Sequence, residues 1–160
     1  MIVYPQWWGG GYPDIEALLE TLFTPLLVGV EPTKWLPGPA EIEATLAEGR
    51  GYLRIYRTGG KINRDENRDE PNVQIAALTA SRDKSWELIE FVRTGVLEQF
   101  DTVSIVPGTI HKLSCQGEVI GPQLVPERMR DDRLVPITFN FFTWAPKGLL
   151  SRYRQALFGH

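Results

Sequence analysis

The sequence is poor in the residues that usually build redox and metal centres. Among 160 residues it has one cysteine, Cys115, and two histidines, His111 and His160. A single cysteine excludes an internal disulfide, and two histidines are too few for a histidine-based metal site. A chain of this length can bury a sufficient core without such cross-links. We therefore expect a single domain over residues 1–160, with no metal and no cofactor.

The chain also lacks an excess of basic residues and long apolar runs, which limits the partners that it could bind. The chain has 17 basic and 20 acidic residues, so its formal net charge is −3 and no basic excess offers a grip on a nucleic-acid backbone. No apolar run approaches the ~18 residues that span a bilayer. The amino-terminal MIVYPQWWGGGYPD lacks the charged start and apolar middle of a signal peptide. We expect assembly in the cytoplasm, without a membrane.

Apolar residues at helical spacing predict two main amphipathic helices. The first covers residues 14–24, where Asp14 offers an N-cap and Pro25 follows the last turn. The second follows the N-cap Ser81 and covers residues 82–100. Each helix has one continuous apolar side, which is typical of helices that pack on a sheet.

Three other parts of the chain give weaker patterns. Residues 1–13 contain three consecutive glycines, which predicts a flexible lead-in. A first-turn proline and a following glycine predict a short helix near residues 40–48. The extension 146–160 has apolar residues spaced for one short C-terminal helix. We expect that helix to pack on another protein chain.

Alternating apolar and polar residues predict the strands. They cover residues 52–57, 73–80, 109–116 and 133–144, with a looser segment at 118–129. Pro136 has no amide hydrogen, so we expect its strand to start there or to lie at a sheet edge. The fold class is therefore α+β, a mixed and mostly antiparallel sheet with two main helices packed on one face, plus the short C-terminal helix.

The stretch RTGGKINRDENRDEP between two predicted strands could be a calcium loop. Asp65, Asn67 and Asp69 occupy the first, third and fifth positions of such a loop. The sixth position should be glycine and is Glu70, and the twelfth should be a bidentate glutamate and is Ala76. The flanking segments also predict strands rather than helices, so we reject a metal site here.

Two other chemical sites are excluded by spacing. Gly59 and Gly60 follow a strand, but no further glycine, lysine-serine pair or helix start comes after them to hold a phosphate. His111 and Cys115 share one face of a predicted strand, yet four residues at ~3.3 Å separate them by roughly 13 Å. A base cannot activate a thiol over that distance. We expect no catalytic residues.

Two surface features leave alternatives open. The charges of residues 61–70 alternate in sign, which is typical of a solvated face and also suits a contact between identical subunits. Arg64, Asp65 and Arg68 carry that second interpretation. Phe91 lies on the polar side of its helix and is either a scattered surface residue or a subunit contact.

The order of elements resembles a known family. The features that carry the resemblance are, in order, a first helix, a stretch ending in WLP, a strand leading into RTGG, a charged segment with RDEP, the strand NVQIAALTA, an SR that opens a helix ending in VRTGVLEQF, and a final ITFNFFTW strand. This order is similar to that of the tail terminator proteins of long-tailed, siphovirus-type bacteriophages. The tryptophan-rich and GGK segments are most similar to those of actinobacterial phages. The resemblance covers roughly residues 12–145.

The resemblance implies a structural virion protein without enzymatic activity. Six copies would form a ring that caps the tail tube, stops tube polymerisation and joins the head connector, while DNA passes through the lumen without specific binding. The tail tube protein and the connector protein would be its partners at the head-proximal end of the tail. The predicted subunit interface combines residues that match the family with the charged and exposed residues named above. It comprises Gly59, Gly60, Arg64, Asp65, Arg68, Asp69, Arg82 and Phe91. The alternatives are a head-completion or head-tail joining protein and a metal-dependent hydrolase.

Overall fold

The sheet of the protein has six strands in its described part. A computed structural model of the chain describes residues 1–122 and 132–159. The strands are β1 (Val30–Thr33), β2 (Gly51–Asn63), β3 (Arg68–Leu78), β4 (Ser104–Ile105), β5 (Lys112–Ile120) and β6 (Leu134–Trp144). Their order across the sheet is β1-β2-β3-β6-β5-β4. β1 runs parallel to β2 and every other neighbouring pair is antiparallel. The predicted α+β class and the mixed, mostly antiparallel sheet are confirmed.

The same residues contain four α-helices, and all four follow sequence patterns. They are α1 (Ile15–Phe23), α2 (Pro39–Ala47), α3 (Arg82–Glu90) and α4 (Leu149–Phe158). The predicted long second helix is continuous but changes type, because α3 passes into a π-helical segment over Phe91–Val96 and a 3₁₀ segment over Leu97–Phe100. Gly95 lies inside the π-helical segment, and glycine weakens the α-helix at such positions.

One apolar cluster joins both main helices to the sheet. The predicted apolar side of α1 is buried in full, as are Ile89 and Val92 of the second helix. Both helices contribute to a core cluster with strand residues such as Leu53 and Ile55 of β2. α2 contributes to a second cluster through Leu46, which packs with residues of β2 and β3. Alternation along β2 separates the two clusters onto opposite faces of the sheet.

The charged stretch is not a loop between two short strands. β2 and β3 pair from Tyr52↔Leu78 to Asn63↔Arg68 with one shift of register between Arg57 and Gly59, and only residues 64–67 form the turn. The sequence therefore predicts both strands correctly but ends β2 too early and starts β3 too late. Charged residues of both signs replace the apolar alternation at this end of the hairpin, since most of the side chains there are exposed.

Pro136 lies inside β6, so the prediction that its strand starts there or forms a sheet edge is wrong. β6 begins at Leu134 and lies between β3 and β5. The described ladder with β5 reaches only Ile120↔Thr138, so Pro136 lies beyond its end. Val135 and Ile137 on either side of Pro136 are buried, so packing of the strand in the core overrides the preference of proline for a strand start or an edge.

The remaining strands differ from the sequence patterns in length. β4 has no counterpart among the predicted strands, and the strand predicted at 109–116 is shifted to Lys112–Ile120 as β5. β5 therefore includes the start of the looser segment predicted at 118–129, of which residues 123–129 lie outside the described residues. β1 has no counterpart among the predicted strands, because Pro32 interrupts its short apolar pattern. Such a proline is compatible with an edge strand.

The N-cap of α1 gives a direct test of this local structure. The Asp14 carboxylate accepts hydrogen bonds from the amides of Glu16 and Ala17 at 3.0 and 3.3 Å, and Lys34 lies 3.0 Å away. We expect Asp14→Ala to lower the free energy of unfolding by about 1 kcal/mol in urea denaturation. Asp14→Asn, which keeps an acceptor, should lose less. Equal losses would show that the cap does not stabilise α1.

Asp14 also makes the stability of the fold depend on pH. Burial opposes ionisation of Asp14, but the hydrogen bonds from Lys34 and the α1 amides outweigh it and hold the pKa below its ordinary value. The charge therefore stabilises the fold above pH about 4 and this contribution is lost as the pH falls through the lowered pKa. Unfolding curves of the wild type and Asp14→Asn should converge below that pH, and a constant difference would contradict the assignment.

Candidate functional site

The paired glycines form a bulge inside β2. Strand pairing shifts between Arg57 and Gly59, which leaves Thr58 as an extra residue. Gly60 has φ +113°, and a Cβ there would lie 2.3 Å from the carbonyl oxygen of Glu70. Gly59 lies outside the left-handed region and has open space around it. The two glycines therefore lie inside β2 rather than after the end of a strand, and only Gly60 requires glycine.

An ion pair next to the bulge links the two strands of the hairpin. The Arg57 guanidinium donates two hydrogen bonds to the Asp69 carboxylate, at 2.6 and 2.9 Å, and a third to the carbonyl of Gly59 at 3.0 Å. The Arg57 amide donates to the Glu16 carboxylate of α1 at 2.9 Å. Asp69 is buried. Its carboxylate is therefore held by its own chain, which gives this predicted interface residue a structural role.

Arg68 is also engaged within the chain. Its Nε donates to Glu70 at 2.9 Å, and its guanidinium carbon lies 3.8 Å from the ring centroid of Phe142 on β6. Asn63 donates a second hydrogen bond to Glu70 at 3.1 Å. The hydrogen bonds from Arg68 and Asn63 lower the pKa of Glu70. This arrangement fixes the hairpin against β6 next to the turn.

The turn itself presents free charges. Arg64 and Asp65 are exposed, and among the described residues neither forms an ion pair. Asn67 adopts φ +49° and closes the turn, while the amide of Glu66 donates to the Asn63 side chain at 3.2 Å. Of the charged residues predicted at the interface from the alternating stretch, these two are the ones that remain available to a neighbour.

The two predicted interface residues outside the hairpin lie on the second helix. Arg82 is the first residue of α3 and follows the end of β3, so the length of β3 separates it from the turn at Arg64 by roughly 33 Å. Phe91 is 39% exposed, and the other side of its ring covers Gly95, where a Cβ would lie 3.1 Å from a ring carbon. The predicted exposure of Phe91 is confirmed. The eight predicted residues therefore do not form one continuous site.

Sequence patterns missed a contact between the two ends of the chain. The indole of Trp8 stacks on Tyr153 of α4 with ring centroids 5.0 Å apart, and Trp7 lies 5.7 Å from the same ring. The Tyr153 hydroxyl accepts a hydrogen bond from the amide of Gly9 at 2.8 Å. The aromatic content of residues 1–13 was the available signal for a contact, but a sequence does not show which segment a tryptophan meets.

The described part of the chain contains several clefts, one of them beside Cys115. This cleft has a volume of about 410 Å³ and is lined by Arg93, Glu118 and Cys115 among others. Burial raises the pKa of the Cys115 thiol, so it is protonated at neutral pH and is a poor nucleophile. Arg93 is paired with Glu90 and Glu118. The cleft therefore offers no activated group.

Metal and membrane sites were sought over the same residues. Within residues 1–122 and 132–159, no three or more histidine, cysteine, aspartate or glutamate side chains are grouped so that they could hold a metal ion. His160 lies outside the described residues. No helix in these ranges has the length and apolar composition needed to cross a membrane.

Comparison with known proteins decides the family. A family model described as phage tail termination protein matches residues 11–150. The chain belongs to this family. No curated protein matches the chain. The phage tail termination proteins are structural components of the virion tail, so this chain is a viral structural protein that acts together with other tail components.

The match covers most of the features described above. It includes α1, the hairpin, the second helix and β6, and therefore also the bulge and the Arg57–Asp69 ion pair. Residues 1–10 and the part of α4 after Leu150 lie outside it. The stacked contact between Trp8 and Tyr153 therefore lies outside the residues that match the tail termination family.

The bulge gives a prediction with a matched control. We expect Gly60→Ala to destabilise the fold by about 2 kcal/mol, because alanine would have to adopt a left-handed conformation and displace the backbone at Glu70. Gly59→Ala, one residue away and in open space, should change the free energy of unfolding by less than about 1 kcal/mol. Urea denaturation of both variants measures the difference, and equal effects would contradict the assigned bulge geometry.

Proposed function

We propose that this tail termination protein forms a six-membered ring on the completed tail tube. The ring stops the addition of tube subunits and forms the joint to the head connector, at the head-proximal end of the tail. Assembly takes place in the host cytoplasm, and the tryptophan-rich and GGK segments support an actinobacterial host. The family match over residues 11–150 is the observation that carries this proposal.

A closed ring needs two different complementary faces on each subunit. The turn of the β2–β3 hairpin supports one face, since Arg64 and Asp65 are exposed side by side with opposite charge and have no partner in the described chain. The exposed side of Phe91 on the second helix supports the other face. Gly59, Gly60, Arg68, Asp69 and Arg82 then act by shaping or flanking these faces.

The charge of the subunit suits a channel for DNA. With a net charge of −3, the chain has no excess of cations to neutralise phosphates. A lumen that does not hold DNA lets it pass in either direction. This supports a ring through which DNA moves without specific binding.

A head-completion or head-tail joining protein is the nearest alternative, and the family match favours the terminator.

Polymerisation of purified tail tube protein in the presence of increasing amounts of this chain distinguishes a terminator from a head-tail joining protein. A terminator should shorten the tubes as its concentration rises and should occupy their ends in electron micrographs. Tubes of unchanged length with free ends would contradict the proposal. A metal-dependent hydrolase would instead show metal-stimulated turnover.

The turn provides a charge-reversal test of the ring contact. We expect Arg64→Glu to weaken ring assembly by roughly tenfold, because it places a like charge beside the carboxylate that the arginine meets on the neighbour. The double variant Arg64→Glu/Asp65→Lys should recover part of the loss, since it restores one charge of each sign at the turn. Analytical ultracentrifugation with and without tube protein measures the oligomer.

Asp101→Lys, directly after the 3₁₀ segment, is the control for this test, because it reverses an exposed charge that belongs to neither proposed face. Arg68 is unsuitable, since its reversal would also break the contacts with Glu70 and Phe142. If Arg64→Glu and Asp101→Lys assembled equally well, the turn would not be a subunit contact.

A further inference from the structure

Large apolar side chains are exposed where the two ends of the chain meet. We call this the basic surface, and it comprises Trp7, Trp8, Arg152, Tyr153, Arg154 and Phe158. Trp7 and Trp8 remain more than two-fifths exposed although both pack on Tyr153, and Phe158 is 62% exposed. Aromatic side chains in such a patch, together with arginine, are typical of the centre of a protein interface.

The charge of the basic surface has one sign. Residues 1–13 contain no charged side chain, and residues 145–159 contain Lys147, Arg152 and Arg154 but no acidic residue. Within the described part of the chain, none of these three cations forms an ion pair. An acidic surface is therefore the complementary partner.

A second exposed apolar surface lies between α1 and the end of α2. We call it the acidic surface, and it comprises Leu26, Val28, Glu31, Trp35, Glu41 and Glu48. Trp35 is 82% exposed and Val28 is fully exposed. Residues 24–49 contain four glutamates and one lysine, Lys34, whose charge is paired with Asp14 at 3.0 Å. Glu43 and Glu48 are paired with Arg133 and Arg50, and the other two, Glu31 and Glu41, form no ion pair among the described residues. Glu31 and Glu41 therefore give this surface the opposite charge around a similar apolar centre.

The two surfaces lie at opposite ends of the central strands. α4 follows the last residue of β6, Trp144, and its start lines a cleft with Asn67 of the hairpin turn. α2 packs on the cluster of Tyr52 and Leu78, with Leu134 at the other end of β6 beside it. The length of β6 puts roughly 33 Å between the two ends, so the surfaces of one subunit cannot meet each other.

We propose that the basic surface of one copy docks on the acidic surface of the next copy, and that this is a head-to-tail contact of the ring. The inference rests on the ring under Proposed function and adds these two surfaces to the turn and Phe91 proposed there. Two different surfaces at opposite ends of a subunit are what a heterologous contact requires. The hairpin turn lies at the same end as α4, so Arg64 and Asp65 flank the basic surface without adding net charge to it.

The apolar content of the basic surface favours a protein partner over nucleic acid. Met1, Ile2, Val3 and Leu157 are all more than half exposed around it. Phosphate groups give such aliphatic side chains nothing to pack against, whereas Leu26, Val28 and Trp35 of a second copy do. Most of the basic surface also lies outside residues 11–150, so the contact belongs to this chain in addition to the matched domain.

Charge reversal with rescue tests the contact. Variant A carries Arg152→Glu and Arg154→Glu, and variant B carries Glu31→Lys and Glu41→Lys. Each variant should weaken self-association at least about tenfold in ultracentrifugation with tube protein present, because like charges then face each other. A variant with all four changes should assemble again, as should an equimolar mixture of A and B, because every contact in an alternating ring then joins opposite charges. Asp101→Lys, directly after the 3₁₀ segment, is the control and should assemble normally.

The remaining outcomes would overturn the proposed contact. They also show whether the proposed function fails together with the contact. If A and B assemble as the wild type does, the surfaces do not meet. If A alone loses assembly and the fourfold variant does not recover it, the basic surface binds another protein or DNA. In both cases the wild type still shortens tubes, so only this inference fails. If the wild type neither forms rings on tubes nor shortens them, the proposed function fails with it.

Cross-linking keeps the test decisive if a charge variant does not fold. In a Cys115→Ser background, one preparation carries Leu157→Cys and another carries Val28→Cys, both at exposed positions. A short bismaleimide should join the two preparations when they are mixed with tube protein, and should join neither preparation to itself. Absence of the mixed product, with tubes capped normally, would overturn the proposed contact.

Discussion

The ion pair between Arg57 and Asp69 is the interaction on which the functional end of the molecule depends. It joins β2 to β3 next to the bulge at Gly60, and the Arg57 amide ties the same point to Glu16 of α1. Nearer the turn, the hairpin is also held by the contacts of Arg68 with Glu70 and Phe142. Because Asp69 is buried, loss of Arg57 would leave an unpaired carboxylate inside the protein. The charged turn is thereby held at a defined position relative to the core.

The helices and the core could be predicted from the sequence because their signals are local. Asp14 and Ser81 cap the helices that they were predicted to cap, through hydrogen bonds to amides two or three residues later. The apolar spacing of α1 fixes which side is buried, since every residue on that side belongs to one cluster. The α+β class follows from these periodicities alone.

The features that sequence could not predict depend on contacts between distant residues. Gly60 is required by the approach of Glu70 from the opposite strand, which no local pattern contains. Pro136 lies in an inner strand because Val135 and Ile137 beside it pack in the core, which overrides the local preference of proline. The charges of Arg68 and Asp69 resembled free interface residues, yet both are paired within the chain. The stacking of Trp8 on Tyr153 joins segments 144 and more residues apart.

Membership of the phage tail termination family gives this arrangement its role, because such a protein acts together with other tail components. The described chain pairs Arg57, Arg68 and Asp69 internally and exposes the aromatic residues Trp7, Trp8, Trp35 and Phe91. The most direct measurement is the number and position of labelled copies on individual tail tubes, counted by single-molecule fluorescence. The account predicts six copies at one end of each capped tube, and copies scattered along the tube wall would contradict it.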